Sequence, residues 1–367
     1  MTEILIVTWD GGGNVPPALL IGAELARRGH GVRVLGHATQ REDVTAAGLE
    51  FRAFPTARPF SSLDDNAPPR LFALFSDKAL GADTVDEARR VPTDVVLVDC
   101  LLTGATKACA DAGLTYVSLE HLFDAYLRGG WLKGPMGLVS RLKGLRPVTT
   151  WDGAARALVV APAELDPAGS RRHPANLVHT GPALDLPASA HDLDAHPPAV
   201  LVSLSTYKYA GMADCLQRIL DATAALDARV VVTTGPAVDP AELRTAPNHE
   251  VHRFVPHDEL MPQMSLVVGH GGHATTMRAL AHDLPLVVMP MHPMLDQPMV
   301  GKAVAAAGAG AVVAKKARPE ELTPVISRLL ADGPHRAAAA RLGASIRSAR
   351  GTETAADQIL AAPALVG

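Results

Sequence analysis

The sequence predicts an α/β protein built from two doubly wound parallel sheets. Short, continuous apolar runs alternate with helical patterns, which is typical of parallel strands buried on both faces. This alternation occurs twice, and a proline-rich stretch at 182–198 separates the two series. The length of 367 residues suits two domains at roughly 150 residues each. We therefore predict two Rossmann-like domains, 1–185 and 199–345, that face each other across a ligand-binding cleft.

The composition excludes several classes of protein. Lys and Arg number 34 against 38 Asp and Glu, so no basic excess favours nucleic acid. Hydrophobic residues at 48% exclude a mainly disordered chain, and three scattered cysteines are too few for a disulfide framework or a zinc site. No apolar run approaches the roughly 18 residues of a membrane span, and the N-terminus lacks a secretory signal. We expect a soluble, cytoplasmic protein with no integral membrane segment and no nucleic-acid partner.

The first half opens with a βαβ unit. Residues 4–7 form an apolar run, a glycine loop ending at Asn14 follows it, and a helical pattern leads to a second apolar run at 32–35. The right-handed crossover rule makes these two strands parallel. Further strands are predicted at 95–98, 115–119 and 158–160. Prolines interrupt residues 54–91, where we expect loops and short helices.

The second half repeats the pattern. Its predicted strands cover 200–204, 230–232, 251–254, 266–268, 286–288 and 311–313. Its predicted helices cover about 213–225, 275–281 and 299–307, with a last helix over 341–360. Because parallel strands share the direction of their carboxyl ends, the loops that follow them meet at one edge of the sheet, where such folds bind ligands.

The clearest chemical motif is Gly-His-Gly-Gly-His-Ala-Thr-Thr at 269–276. A buried strand runs through glycines into a helix, so backbone amides and the positive end of the helix dipole can meet an anion. His270 and the hydroxyls of Thr275 and Thr276 add further donors. The segment predicts a phosphate site. The alternative is a plain strand-to-helix turn, in which the glycines only permit a tight bend.

Asp296 and Gln297 follow the next buried strand. A carboxylate beside a carboxamide can grip vicinal hydroxyls, because one accepts hydrogen bonds and the other both donates and accepts them. The alternative is that Asp296 caps the following helix and Gln297 is exposed. Since one βα unit separates the pair from the glycine motif, we expect both at the same edge of the sheet, one for phosphate and one for sugar.

These segments together resemble the donor-binding signature of glycosyltransferase family 1, His-Gly-Gly-x-Gly-Thr followed later by Asp-Gln. The likeness covers essentially the whole chain, and the glycine loop with Asn-Val-Pro-Pro is similar to the opening of that family. The chain looks closest to the bacterial branch that glycosylates natural products.

The resemblance implies the GT-B fold, with a C-terminal segment, 346–367, that packs back on the N-terminal domain. It also implies an inverting transfer of a hexose or deoxyhexose from a UDP- or dTDP-sugar. The implied acceptor is a lipophilic polyketide, macrolide or aromatic natural product. Neither a metal ion nor another cofactor is expected.

The resemblance assigns roles in the donor site to individual residues. His270 matches the histidine that contacts the diphosphate, and 296–297 matches the pair that holds the sugar hydroxyls. Thr206 matches a hydroxyl residue near the phosphates, and 254–257 matches the segment that covers the base, with the Val255 backbone reading its edge. The implied donor-binding residues are Thr206, Phe254, Val255, His270, Gly271, Gly272, Ala274, Thr275, Asp296 and Gln297. Ala274 departs from the glycine of the motif, but the start of a helix tolerates the added methyl.

The acceptor side departs further from the family. The usual catalytic base is a histidine three residues before a proline of the first helix, and Asn14 occupies that position. An asparagine amide cannot take a proton at pH 7. Asp99 matches the aspartate of the family's His–Asp dyad and is expected to lack its partner.

Two substitutes for the missing base follow strands of the same half. We expect Asp10 or His121 to serve as the base, with Asn14 orienting the acceptor. A phenol that is acidic already, or a carbon nucleophile on an electron-rich ring, would need little help. The structural alternatives are a buried or loop histidine at His121 and a cap of the glycine loop at Asp10.

Two other classes of function stay open. Asn14 at the position of the base also fits a non-catalytic nucleotide-sugar-binding protein. The glycines at 11–13 would suit a dinucleotide-dependent oxidoreductase, but they lack the spaced fingerprint and no ribose-binding acid follows the second strand. The expected partners are a nucleotide sugar, a small-molecule acceptor and, as one option, a second copy in a homodimer.

Overall fold

The computed structural model describes residues 1–62, 67–185, 187, 197–331 and 333–362. The chain divides into two compact units: an N-terminal unit of Met1–Asp185 with Ala349–Gly367, and a C-terminal unit of Leu186–Ser348. Most of the predicted linker at 182–198, and the end of the predicted segment 346–367, lie outside the described residues. Across the described ranges no helix has the length and apolar character that crossing a bilayer requires.

The N-terminal unit contains a sheet whose seven described strands are all parallel. The strands are β1 Glu3–Val7, β2 Gly31–Gly36, β3 Glu50–Ala53, β4 Val95–Asp99, β5 Tyr116–Glu120, β6 Arg156–Val159 and β7 Leu177–His179. Their order is β3-β2-β1-β4-β5-β6-β7, so the direction of winding reverses between β1 and β4. The predicted parallel βαβ unit is therefore confirmed. The short strands β3 and β7 are not among the predicted strands.

The helices of the N-terminal unit lie between these strands. They are α1 Val15–Arg27, α2 Arg41–Ala46, α3 Pro68–Phe75, α4 Lys78–Arg90, α5 Thr103–Asp111, α6 Asp124–Tyr126, α7 Pro135–Leu142 and α8 Pro147–Asp152. The prediction of loops and short helices over 54–91 is wrong for α4, which has 13 residues. The prolines at 68–69 start α3 rather than break it, because the first turn of a helix does not need their missing N–H groups.

The C-terminal unit contains the second parallel sheet, with six described strands. They are β8 Ala199–Ser203, β9 Arg229–Thr233, β10 His249–His252, β11 Leu266–Gly269, β12 Leu286–Val288 and β13 Gly310–Val312, in the order β10-β9-β8-β11-β12-β13. Its helices are α9 Met212–Thr223, α10 His257–Leu260, α11 His273–Ala281, α12 Gln297–Ala306, α13 Pro319–Leu330 and α14 Pro334–Ala349. The predicted α/β class with two parallel sheets is confirmed.

The last part of the described chain is two helices, not the single helix predicted over 341–360. Arg350 adopts a left-handed conformation, with φ of 48°, between α14 and a final helix α15, Gly351–Leu360. Helix α15 packs against α1 and β6, and its residues Ala355, Ala356 and Ile359 are fully buried in the core of the N-terminal unit. The chain thus returns to its first sheet through this helix.

Candidate functional site

The glycine motif forms a turn that only glycine fits. Gly271 has φ of +87°, and a Cβ there would lie 2.8 Å from Val288 Cγ1 and 2.9 Å from the backbone oxygen of Gln297. The turn leads from β11 into α11, whose N-cap is Gly272. Because Gly272 has no side chain to cap the helix, the amides of the first turn of α11 are available to an anion. The geometry suits the predicted phosphate site and explains the tight turn as well.

The side chains of the motif differ in how far they reach the surface. Thr275 is half-buried, whereas Thr276 is buried and cannot present its hydroxyl to a ligand at the surface. Ala274 lies half-buried in the first turn of α11, at the position where the family motif has glycine. Of the two threonines, Thr275 is therefore the one that fits a role at the site.

His270 lies beside the uncapped amides. Its ring is close enough to Gly272 that a Cβ there would lie 2.6 Å from Nε2. Nδ1 is buried and has no hydrogen-bond partner in the part of the chain that the structure describes. Burial lowers the pKa of His270 to about 4, while the nearby Asp296 carboxylate acts in the opposite direction. The ring is therefore neutral at pH 7 and can donate one hydrogen bond to an anion.

Asp296 contacts a histidine of the glycine motif. His273 Nε2 lies 3.2 Å from Asp296 Oδ2, and both side chains are mostly buried. Asp296 precedes α12, but its backbone is already helical and its side chain makes no capping bond to that helix. The structure therefore does not support the alternative in which Asp296 acts as a helix cap.

Gln297 is 2% exposed, so the alternative of an exposed side chain is wrong. Its Oε1 accepts hydrogen bonds from the backbone N–H groups of Met291 and His292, at 2.8 and 3.0 Å. Its Nε2 donates to the Tyr209 hydroxyl at 3.0 Å. Because both lone pairs of Oε1 are used, Gln297 can offer a ligand one further N–H group and no acceptor.

The remaining predicted donor residues lie at the same edge of the sheet. Thr206 is exposed in the loop after β8, and Phe254 is 74% exposed after β10, with a half-buried Val255 beside it. Strands β8 and β10 run parallel to β11, so their following loops share its edge. An exposed phenylalanine next to this edge is suited to stacking on a planar ring.

Sequence reasoning missed an aromatic group in the C-terminal unit. Tyr207 and Tyr209 are stacked with ring centroids 5.9 Å apart, and Tyr209 also lies 6.3 Å from His270 and 6.5 Å from His292. Lys315 donates to the backbone oxygen of Met291 at 2.8 Å and steadies the loop before α12. The signal that could have found the tyrosines is the Tyr-Lys-Tyr sequence directly after a buried strand.

In the N-terminal unit, Asn14 is buried against Asp99. Its Nδ2 lies 2.9 Å from Asp99 Oδ2, 3.0 Å from the Trp9 backbone oxygen and 3.3 Å from Thr8 Oγ1. The Leu101 backbone N–H donates to the other carboxylate oxygen at 2.9 Å. Asp99 is thus fixed at the end of β4, with an asparagine in the place where the resemblance implies its histidine partner.

His121 also contacts Asp99. Its Nδ1 lies 3.4 Å from Asp99 Oδ2, because β4 and β5 are neighbours and both residues lie where these strands end. Asn14, Asp99 and His121 are therefore gathered at one point. Among the described residues, Asp99, His121 and Cys100 are also the one group that presents metal-ligand types within 4.8 Å of one another.

Asp10 has a different environment. Its Oδ2 accepts a hydrogen bond from the Thr39 hydroxyl at 2.8 Å, on the side of β2. The described contacts therefore tie Asp10 to the loop after β2 and do not show the predicted alternative, a cap of the glycine loop. The gathering of Asn14, Asp99 and His121 distinguishes His121 from Asp10.

Comparisons with known proteins show which sequences this chain is similar to. Residues 217–361 match the family described as erythromycin biosynthesis protein CIII-like, C-terminal domain. An uncharacterized UDP-glucosyltransferase of Bacillus subtilis is 24% identical over 99% of this chain and 98% of its own. The demethyllactenocin mycarosyltransferase of Streptomyces fradiae is 30% identical over 44% of this chain and 35% of its own.

The solved structures include close matches to the whole chain. The crystal structure of the glycotransferase of kitacinnamycin has a TM-score of 0.79 and 23% identity, and the match covers 98% of both chains. This likeness establishes the GT-B fold. With the matches in sequence, it identifies the chain as a glycosyltransferase that is similar to bacterial glycosyltransferases of natural-product biosynthesis.

Proposed function

We propose that the chain transfers a sugar, with inversion, from a UDP- or dTDP-sugar to a lipophilic polyketide, macrolide or aromatic acceptor. The observation that carries the proposal is the uncapped N-terminus of α11, with the neutral His270 beside it. The names of the similar proteins, a UDP-glucosyltransferase and a mycarosyltransferase, support the classes of donor and acceptor. A cytoplasmic location remains part of this proposal.

The donor diphosphate is assigned to the first turn of α11. Negative charge grows on the leaving diphosphate as the bond to the anomeric carbon breaks. The amides of α11, the positive end of its dipole, the Thr275 hydroxyl and the His270 N–H are fixed before the reaction, so they stabilise this charge without reorganising. In this proposal Thr206, exposed after β8, adds a hydroxyl donor, and the exposure of Phe254 supports stacking on the nucleotide base.

The donor sugar is assigned to Asp296 and Gln297. The carboxylate accepts hydrogen bonds from sugar hydroxyls, and the amide of Gln297 donates its remaining N–H. In this arrangement Asp296 supplies all the acceptor capacity of the pair, because Gln297 Oε1 is already occupied by backbone.

His121 is assigned as the general base. Since Nδ1 faces Asp99, Nε2 is the ring atom that takes the proton from the acceptor hydroxyl as its oxygen attacks the anomeric carbon. Asp99 then stabilises the imidazolium, as the carboxylate does in other His–Asp pairs. Asn14 holds Asp99 in place through its amide. A histidine that directly follows β5 thereby performs the task that glycosyltransferase family 1 gives to a histidine at the position of Asn14.

The proposal includes no metal ion and no other cofactor. Charge on the leaving group is met by donors of the protein, so a divalent cation is not required. Dialysis against a chelator should leave the rate of transfer unchanged, as measured by release of the nucleoside diphosphate. Loss of activity that Zn²⁺ or Mg²⁺ restores would contradict this, and the group of Asp99, Cys100 and His121 would be the first place to examine.

The test of the proposed function is a transfer assay with UDP-glucose and dTDP-glucose against phenolic, polyketide and macrolide acceptors. A glycosylated product of inverted anomeric configuration, seen by mass spectrometry and NMR, is the expected result. If the protein binds the nucleotide sugar but shows neither transfer nor slow hydrolysis of the donor, a non-catalytic binding protein would be supported instead.

A further inference from the structure

The glycine motif of this chain carries a second histidine, and it touches the residue assigned to the donor sugar. We propose that His273 is a positioning residue that holds the Asp296 carboxylate against the donor sugar and so sets which sugar hydroxyl the site recognises. This inference rests on the proposed function, since it assigns the sugar to Asp296.

The contact joins the starts of two helices. His273 is the first residue of α11, and Asp296 directly precedes α12. Nε2 and Oδ2 are 3.2 Å apart, and the side chains of His273 and Asp296 are 10% and 14% exposed. In such a sheltered place little water competes with the attraction between the ring and the carboxylate.

Asp296 has no capping role that would fix it otherwise. Its backbone angles, φ of −66° and ψ of −19°, are helical, and its side chain does not bond to the amides of α12. A side chain at the start of a helix that is not used as a cap is free to point elsewhere. In this chain Oδ2 lies 3.2 Å from His273 Nε2, so the histidine is positioned to hold the carboxylate.

The neighbouring Gln297 cannot compensate for a misplaced carboxylate. Its Oε1 accepts from two backbone N–H groups, and its Nε2 donates to Tyr209. The amide has therefore one donor to offer and no acceptor. Every hydrogen bond that a sugar hydroxyl donates to this pair must end on Asp296, and the orientation of that carboxylate then selects the hydroxyl.

The variants His273→Leu and His273→Gln separate this role from a role at the phosphates. The first probe is whichever of UDP and dTDP binds the wild-type protein more tightly. The second probe is the glucose conjugate of that nucleoside diphosphate. In His273→Leu we expect the dissociation constant of the glucose conjugate to rise about tenfold, the loss typical of a polar contact to a charged group. The dissociation constant of the nucleoside diphosphate should stay within about twofold, and His273→Gln, which keeps an N–H donor, should recover most of the loss.

A double-mutant cycle with Asp296→Asn completes the test. If His273 acts through Asp296, adding His273→Leu to Asp296→Asn should change the binding of the glucose conjugate by less than about twofold. The control is His335→Gln, since His335 bonds to the backbone oxygen of Gly308 and is not in the motif. Calorimetry measures the constants, and thermal unfolding confirms that each variant is folded.

Two results would overturn the inference. If His273→Leu weakens the binding of the nucleoside diphosphate and of its glucose conjugate equally, His273 would be assigned to the phosphates. If the effects of His273→Leu and Asp296→Asn on the binding free energy are additive, His273 would not act through Asp296. Failure of the wild-type protein to bind either nucleoside diphosphate would instead remove the proposed function itself, which distinguishes the two failures.

Discussion

Asp99 is held from two directions, and this decides the chemistry proposed for the N-terminal unit. Asn14 donates to Oδ2, His121 lies 3.4 Å from the same oxygen, and Leu101 donates to Oδ1. In the proposed reaction, a fixed carboxylate beside the ring stabilises the positive charge that forms when the histidine takes the proton of the acceptor. Asn14 stands where the resemblance implies a histidine, and in the proposal it orients Asp99.

The first prediction concerns His121. His121→Gln should lower the turnover number by about 10²–10⁴-fold, the range for removal of a general base, and should leave nucleotide affinity unchanged. Asp10→Asn is the matched control, because Asp10 bonds to Thr39 rather than Asp99. Steady-state kinetics and calorimetry measure both variants. A normal rate in His121→Gln, together with a large loss in Asp10→Asn, would transfer the role to Asp10.

The second prediction concerns Glu120, whose carboxyl is fully buried and has no hydrogen-bond partner within the described ranges. Burial, with Asp124 nearby, raises the pKa of Glu120 to about 8. Between pH 4.5 and 8 the unfolded chain has lost this proton and the folded one retains it, so stability falls as the pH rises.

Glu120→Gln should therefore increase the free energy of unfolding relative to wild type, by an amount that grows from near zero at pH 4.5 to on the order of a few kcal/mol at pH 8. Urea unfolding at several pH values measures the difference. If the difference in the free energy of unfolding between wild type and Glu120→Gln does not change with pH, the protonated state assigned to the buried Glu120 would be contradicted.

The sequence predicts the residues of the site better than it predicts their contacts. Asn14, Asp99 and His121 could each be placed after a strand, but their meeting depends on β4 lying between β1 and β5. Strand order is set by packing across the sheet and leaves no local pattern. In the same way, the glycine motif is visible in the sequence, whereas the bond from Gln297 to Tyr209 joins residues 88 positions apart.

At the scale of elements, buried strands are the most predictable parts of this fold. Strand β4 is buried at every position, so its apolar run is continuous. Strand β3 buries only Phe51 among four residues, and nothing in its sequence separates it from a loop. The break between α14 and α15 is also hidden, since Arg350 is not a residue that usually adopts a left-handed conformation.

The third prediction concerns the start of α15. A Cβ on Gly351 would lie 2.3 Å from the Pro182 backbone oxygen and 2.5 Å from that of Gly181. Because backbone atoms cannot move aside cheaply, Gly351→Ala should destabilise the N-terminal unit by about 1–3 kcal/mol. Gly129→Ala is the control, since a Cβ there meets nothing within 4 Å. Denaturant unfolding checks the difference, and equal stabilities would contradict the close packing of α15.

At the scale of the whole molecule, each unit has its own hydrophobic core and its own part of the proposed reaction. The core of the N-terminal unit includes β1 and β4 residues and the buried face of α15, and that of the C-terminal unit includes β8, β11 and α9 residues. The fold is predictable because its buried strands are continuous apolar runs, and the resemblance is visible because its motifs follow such strands. The acceptor is not predictable, because no motif of the sequence identifies it.

The most direct measurement is the binding of UDP and dTDP to the wild-type protein and to His270→Ala. Calorimetry gives the affinity, and thermal unfolding gives the stability gained on binding. At 100 times its dissociation constant, the preferred nucleotide should add about 2.7 kcal/mol to the free energy of unfolding. His270→Ala should bind it at least about tenfold more weakly, because a fixed donor beside the α11 amides is removed. Absence of binding by the wild-type protein, or equal affinity in the variant, would contradict the claim that this helix start receives the diphosphate.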